Sequence, residues 1–384
     1  MTASARRLGW WAAGAGTALA LAALAFRLVL QYLSRPDLDH GIHVVFAQEL
    51  LTEGTLLPHF LYHALVALAS FLSRDSGRLT FAAALVLTLM VLLKLLLSLG
   101  MLRELTTRAA GSLAPAAALA LAVAFFFVAP LPTWWEPENI YLGQLSPTVW
   151  HNPTAITALP LALASFWALL GRPPAGLRRS LGVGLLLALS VTAKPNFALA
   201  FLPALFALRL LQRRLELVCL GLVSLPSVAV LVWQYRHAIS SGLEAPGAGV
   251  VMLDPLAVWR LYSPHPLVSA LVSLAFPLAV AAFAWRDVRH REPLAAAWLV
   301  ALVAVAEFAL LAEPEPRLGD ANYYWGVVPA SYLLFLVSAA ELLAPRPLAG
   351  KRRLGRLGCW ALLALHVASG VVLYAVPFQL AVAD

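Results

Sequence analysis

Eleven apolar stretches, most of them about as long as a bilayer-crossing helix, constrain what this chain can fold into. They cover residues 9–33, 79–101, 112–130, 154–171, 180–193, 195–210, 216–235, 265–285, 293–312, 325–343 and 357–377. The hydrocarbon core of a bilayer is about 30 Å thick, and roughly 20 apolar residues in a helix span it. Lipid offers no hydrogen bonds, so the backbone must satisfy its own polar groups, which helices do internally. Only 12% of the 384 residues are charged, where a soluble domain carries about 25%. The expected fold is therefore all-α: a polytopic transmembrane helical bundle of about eleven spans, one domain over residues 1–384.

The net charge of +8 does not indicate nucleic acid, because the basic residues sit in short loops between spans. That is where lysine and arginine set membrane orientation. One apolar run, residues 58–72, is too short to be an obvious span. If it stays on one side, Arg6/Arg7, Arg103/Arg108, Arg172/Arg178/Arg179, Arg209/Arg213/Arg214, Arg286/Arg289/Arg291 and the cluster from Arg346 to Arg356 all face the same way. If it crosses, that bias is lost. The first arrangement gives a multi-pass protein of the plasma (inner) membrane with a cytoplasmic N-terminus. Residues 41–52 and 58–72 then form juxtamembrane helices in the first outer loop. Residues 9–32 exceed the usual apolar core of a signal peptide and read as a retained anchor. Cys219 and Cys359 lie in apolar runs and read as small buried side chains.

Polar chemistry collects in the outer loops, which hold seven of the nine histidines: His40, His43, His59, His63, His151, His237 and His265. The first loop reads RPDLDHGIHVV from Arg35, with Asp37 and Asp39 directly after the first span. Aspartates there are also what a helix cap requires. His40/His43 and His59/His63 have spacings that put each pair on one helix face. Lys194 interrupts an apolar run just before Pro195; an ionisable group at that depth is costly and is usually functional, unless it snorkels to the interface. Lys94 can snorkel inward, and Glu307 lies within a span. Trp134, Trp135, Trp150, Tyr323, Tyr324 and Trp325 fall at span ends, as an aromatic belt does. Trp150-His151-Asn152-Pro153 reads as the cap of the fourth span.

Taken together, these residues resemble the GT-C superfamily of membrane glycosyltransferases, which take a sugar from a polyprenyl-phosphate carrier on the outer or lumenal face. The family places an acidic pair directly after span one, followed by two juxtamembrane helices. Asp37-Leu38-Asp39 and residues 41–52 and 58–72 match that order. PHFLYHALVAL from Pro58 is similar to the family's proline-led entry to its second juxtamembrane helix, with Pro58-His59 in place of a double proline. AKPNF from Ala193 and DANYYWG from Asp320 look like motifs of bacterial GT-C-like proteins. The resemblance implies an inverting glycosyltransferase with Asp39 or Asp37 as the general base. It implies substrate-binding roles for Lys194, Arg260 and Arg317 at the lipid phosphate, and for His40, His151, Asn152, Asp320, Asn322 and Trp325 around them. Glu136 and Glu138 stand where relatives often place a second acid. A divalent metal (Mg²⁺ or Mn²⁺) held by the aspartate pair is compatible with this chemistry, although some relatives need none. The partners implied are a lipid-linked sugar donor and a glycan, lipid or protein acceptor. Two other readings share the architecture: a transporter or lipid flippase, and a polysaccharide polymerase or ligase.

The topology makes a direct prediction. Single cysteines within residues 74–77 are labelled by an impermeant maleimide from outside, and cysteines within 103–108 only from inside. The same side for both, or the reverse, removes the eleven-span arrangement.

Overall fold

The structure is a computed structural model. It describes residues 3–34, 39–108, 115–135, 141–170, 176–214, 216–241, 250–284, 292–343 and 351–380. Helix accounts for 80% of it. Each of the eleven apolar runs is helical: α1 (Ala3–Leu33), α4 (Ser76–Arg108), α5 (Pro115–Phe127), α6 (Pro153–Leu170), α7 (Leu177–Ala193), α8 (Asn196–Leu211), α9 (Leu217–Ser241), the pair α11 (Pro266–Ser273) and α12 (Ala275–Phe283), α13 (Glu292–Leu310), α14 (Val327–Leu343) and α15 (Lys351–Leu380). Shorter helices α2 (Asp39–Thr52), α3 (Leu61–Ala69) and α10 (Ala257–Tyr262) lie between them. The strands β1 (Met252–Leu253) and β2 (Leu311–Ala312) pair antiparallel and tie the chain after α9 to the end of α13.

By length and apolar composition, six helices among the described residues can cross a membrane, and seven if α11 and α12, bent by 63°, count as one. That is fewer than the eleven expected. The shortfall has a physical origin in α5 to α8. The apolar parts of α5, α6 and α8 cover only Ala117–Phe127, Pro153–Leu169 and Asn196–Leu211, and α7 opens on Arg178 and Arg179. At 1.5 Å per residue these are short struts against a 30 Å layer.

The centre of the bundle is α14. Of the apolar window that contains it, 94% is buried, and α4, α6, α8, α12 and α13 pack around it. Its sequence, VVPASYLLFLVSAAELL, has no polar face, as expected of a helix enclosed on all sides. By contrast, only 17% of the α9 window is buried, and Leu225, Val228 and Val232 point outward. Apolar side chains thus face outward from the rim and inward at the post, the arrangement a bilayer solvent permits.

Close packing in a membrane relies on small residues. A Cβ built on Gly184 of α7 would lie 2.3 Å from the carbonyl oxygen of Leu222 on α9, closer than any real contact. Lys94 of α4 does not snorkel: it is buried, with Nζ 5.0 Å from the ring centroid of Tyr332, 5.8 Å from Trp150 and 5.9 Å from Phe126. Cation–π contact replaces a counter-ion there.

α2 and α3 pack on each other and on α4. α3 has nine residues, about 14 Å of helix, so it cannot cross a bilayer by itself. One end of the bundle gathers the start of α2, the starts of α6 and α8, the end of α7 and the start of α14, since side chains from all of them touch there.

The α7–α9 contact yields a stability prediction. Gly184→Val lowers the thermal midpoint of the detergent-solubilised protein, consistent with an overpacking cost of about 1–3 kcal/mol. Gly182→Val, whose Cβ meets nothing within 4 Å, leaves the midpoint unchanged.

Candidate functional site

The site is built on the residue just before a helix. Asn152 precedes α6, and its Oδ1 accepts the Ala155 amide at 2.9 Å and the Thr154 hydroxyl at 2.9 Å. This is the cap that the sequence suggests, and it meets one of the backbone donors that a helix start leaves open. The same Oδ1 accepts a bond from Lys194 Nζ at 3.3 Å, and Nδ2 donates to Asp39 Oδ2 at 3.2 Å. Asn152 is buried, whereas Asp39 and Lys194 are each partly open.

Lys194 sits between two helices that reverse direction. Its extended backbone ends α7, and Pro195, with its fixed φ, begins α8. The ammonium points into the bundle. It donates to Thr154 Oγ1 at 3.2 Å and lies 4.6 Å from the ring centroid of Trp325. Among the described residues its hydrogen-bond partners are therefore neutral. Burial pushes its pKa down to about 8, while the Asp39 carboxylate pulls the other way.

AKPNF and DANYYWG, far apart in sequence, form one unit here. Asn196 Nδ2 donates to the Asn322 carbonyl at 2.6 Å, and Asn322 Nδ2 donates to Glu313. Gly326 stands where a Cβ would come within 3.0 Å of the Asn196 carbonyl oxygen. Trp325, the floor under Lys194, is thereby set by the same junction. Arg317 pairs with Glu313 at 3.5 Å and with Asp320 at 3.3 Å, so its charge is largely answered within its own loop.

Five histidines surround Asp39 and Lys194 and are held neutral. His40 is buried; its Nε2 donates to the Trp150 carbonyl at 2.7 Å, and its ring stacks on Tyr32. His40 and His43 both lie on α2, but His59 sits in the turn before α3 and shares no helix with His63. His43 of α2 bonds His63 of α3 across the helix pair, Nδ1 to Nε2 at 2.8 Å, with the rings stacked. His59 lies beside Gln234 of α9, whose amide also donates to the carbonyls of Pro58 and Val191. His151 packs between Tyr141 and Trp325. Burial is the leading cause of each lowered pKa: about 4 for His40, His63 and His151, about 3 for His59, and well below the usual value for His43. The charge of Lys194 adds to the effect at His43, His59 and His151.

Of the sequence-derived candidates, the structure brings Asp39, His40, His151, Asn152, Lys194 and Trp325 together, with Asn322 linked through Asn196 and Arg317 linked to Asn322 through Glu313. Asp320 is exposed and serves Arg317; Arg260 is exposed on α10, whose Tyr262 hydroxyl donates to the Gly319 carbonyl. Asp37, Glu136 and Glu138 lie outside the described residues. Sequence reasoning missed Thr154, Tyr141 and Glu313, whose types and spacing carry no signal; contact alone reveals them. Among the described residues no three His, Cys, Asp or Glu side chains converge to hold a metal ion. Asp39 instead faces an amide donor beside an ammonium, which suits a divalent cation poorly. A separate pocket of about 360 Å³ between α1, α4 and α5 is lined by Gly14, Leu21, Leu95 and Val123 among others and is almost wholly apolar. It does not adjoin these polar groups.

Fold and site together define a helical membrane-type bundle with one polar centre at one end. No family model, no curated protein and no solved structure matches the chain.

The neutral histidines fix an acid limit. A histidine whose folded pKa is depressed takes up its proton on unfolding, so acid favours the unfolded state. The stability that these side chains retain is complete above about pH 6.5 and is lost as pH falls towards their folded values near 4. The thermal midpoint therefore drops steeply between those values, and His63→Gln, which removes one such group, flattens the drop.

Proposed function

We propose that this chain is a glycosyltransferase of the GT-C kind, moving a sugar from a polyprenyl-phosphate donor to an acceptor hydroxyl at the outer face of the plasma membrane. The observation that carries the reading is the pairing, within one amide's reach, of a partly open carboxylate and an ammonium with neutral hydrogen-bond partners. Inverting transfer needs both. The acceptor oxygen attacks the anomeric carbon and loses its proton to Asp39, while the bond from that carbon to the phosphate oxygen breaks. The electron pair leaves with the polyprenyl phosphate, whose growing negative charge Lys194 stabilises. A cation already cancelled by a bonded carboxylate does this poorly, which favours Lys194 over Arg317 for the role. The resemblance of Asp37-Leu38-Asp39, AKPNF and DANYYWG to GT-C motifs points the same way.

In this reading the short helices also cross. Counting α11–α12 as one passage and adding α5, α6, α7 and α8 gives eleven crossings. The loop arginines then put the N-terminus in the cytoplasm and the polar end outside. A transporter or flippase draws on a different observation, the broken pair α11–α12.

The test is sugar transfer from a polyprenyl-phosphate donor by the full chain in nanodiscs. Asp39→Asn keeps the size and hydrogen-bonding capacity but cannot take a proton, and lowers turnover at least about 10²-fold. Lys194→Met leaves the protein folded and weakens use of the donor. Near-normal turnover in both variants removes the reading. Movement of the lipid-linked sugar across liposomes without any transfer favours the transporter.

A further inference from the structure

We propose that Asn152 is a positioning residue that sets the carboxylate of Asp39 and the ammonium of Lys194 in register through a single side-chain amide. The inference rests on the transferase reading for what the two charged groups do, and on geometry alone for how they are held. Asn152 makes four side-chain contacts. Oδ1 receives Ala155 N–H, the Thr154 hydroxyl and Lys194 Nζ, and Nδ2 gives its hydrogen to Asp39. The orientation of the amide follows from its partners. A backbone N–H and an ammonium can only donate, so the oxygen must face them, and the NH₂ group is left for the carboxylate. Each end of the amide dipole thus meets the charge of opposite sign, and such bonds reinforce one another in a site of low dielectric. The cap bond ties this orientation to the start of α6, so the amide cannot turn without opening the helix. Asn152 does not need to touch the sugar. It fixes where the proton acceptor and the phosphate-facing cation stand, a separation that in-line displacement tolerates poorly.

Two substitutions separate this role from capping, because Asp and Ser cap a helix about as well as Asn. Asn152→Asp presents a second carboxylate to Asp39 and a salt-bridge partner to Lys194. Asn152→Ser keeps the cap but is too short to bridge. The first readout needs no turnover. The chain has three lysines, Lys94, Lys194 and Lys351, and the rate at which acetic anhydride acetylates each one against pH is followed by mass spectrometry of the full chain in nanodiscs. In N152D the pH of half-maximal labelling at Lys194 rises by about one unit, while Lys351 does not change. The second readout is the pH dependence of sugar transfer. In N152D a carboxylate facing Asp39 favours its protonated form, so the acid limb moves up by about one unit. N152S lowers kcat at least about tenfold, with the thermal midpoint retained. An unmoved Lys194 labelling curve in N152D overturns the proposal, whether or not the protein is a transferase. So does an unmoved acid limb in an active enzyme. A shifted Lys194 curve in a protein that transfers no sugar supports the bridge and removes the transferase reading instead.

Discussion

A positive charge set among apolar helices is the constraint on which the rest of this arrangement depends. An unpaired ammonium cannot be taken out of water cheaply, and among the described residues it is not given a carboxylate to bond. It is given an amide oxygen, a hydroxyl and the face of an indole. The first two come from the start of α6 and the third from the segment before α14, so α6, the α7–α8 turn and the entry to α14 must meet at one point. The short α7–α8 turn, the capped start of α6 and the Asn196–Asn322 bond all serve that meeting. The neutral histidines are the other side of the same balance. A second full charge beside Lys194 would cost more than burial of an uncharged imidazole does, and the ring nitrogens remain able to bond, as His43 and His63 do to each other.

Much of this was legible in the sequence, for reasons that differ residue by residue. The helices follow from apolar runs, because in lipid a backbone must be satisfied within a helix or a closed barrel, and runs of about 20 residues have the length of a helix. Lys194 stood out because a lone lysine before a proline in such a run has no cheap explanation, and Asp39 because it follows the first span directly. Asn152 was legible as a cap but not as a bridge: capping is a local property, and the partners 113 and 42 residues away are not. The His59/His63 spacing misled because the helix starts later than the apolar run does: His59 lies in the turn before α3, and the ring that His63 meets is His43 of α2. The number of spans was harder to read from length, because α5, α6 and α8 carry only short apolar segments and α7 begins with two arginines.

Lys94 illustrates where sequence reasoning stops. An isolated lysine one turn from a helix middle is expected to reach for the nearest water. Three aromatic rings, contributed by α5, the segment before α6 and α14, enclose it instead. Nothing in the residues around position 94 announces them. One of the three is Trp150, whose carbonyl holds His40, so a single residue links this buried lysine to the polar centre.

The two charged groups of the centre are mounted very differently. Trp325, which carries Lys194, is buried at the entry to the helix that the whole bundle encloses. Asp39 opens α2, a peripheral helix packed mainly on α3 and α4. In mechanical terms the cation is bolted to the frame and the carboxylate to a side arm. Any widening of the gap between them is therefore a movement of the arm: the lysine half keeps its shape, and the carboxylate half does the adjusting.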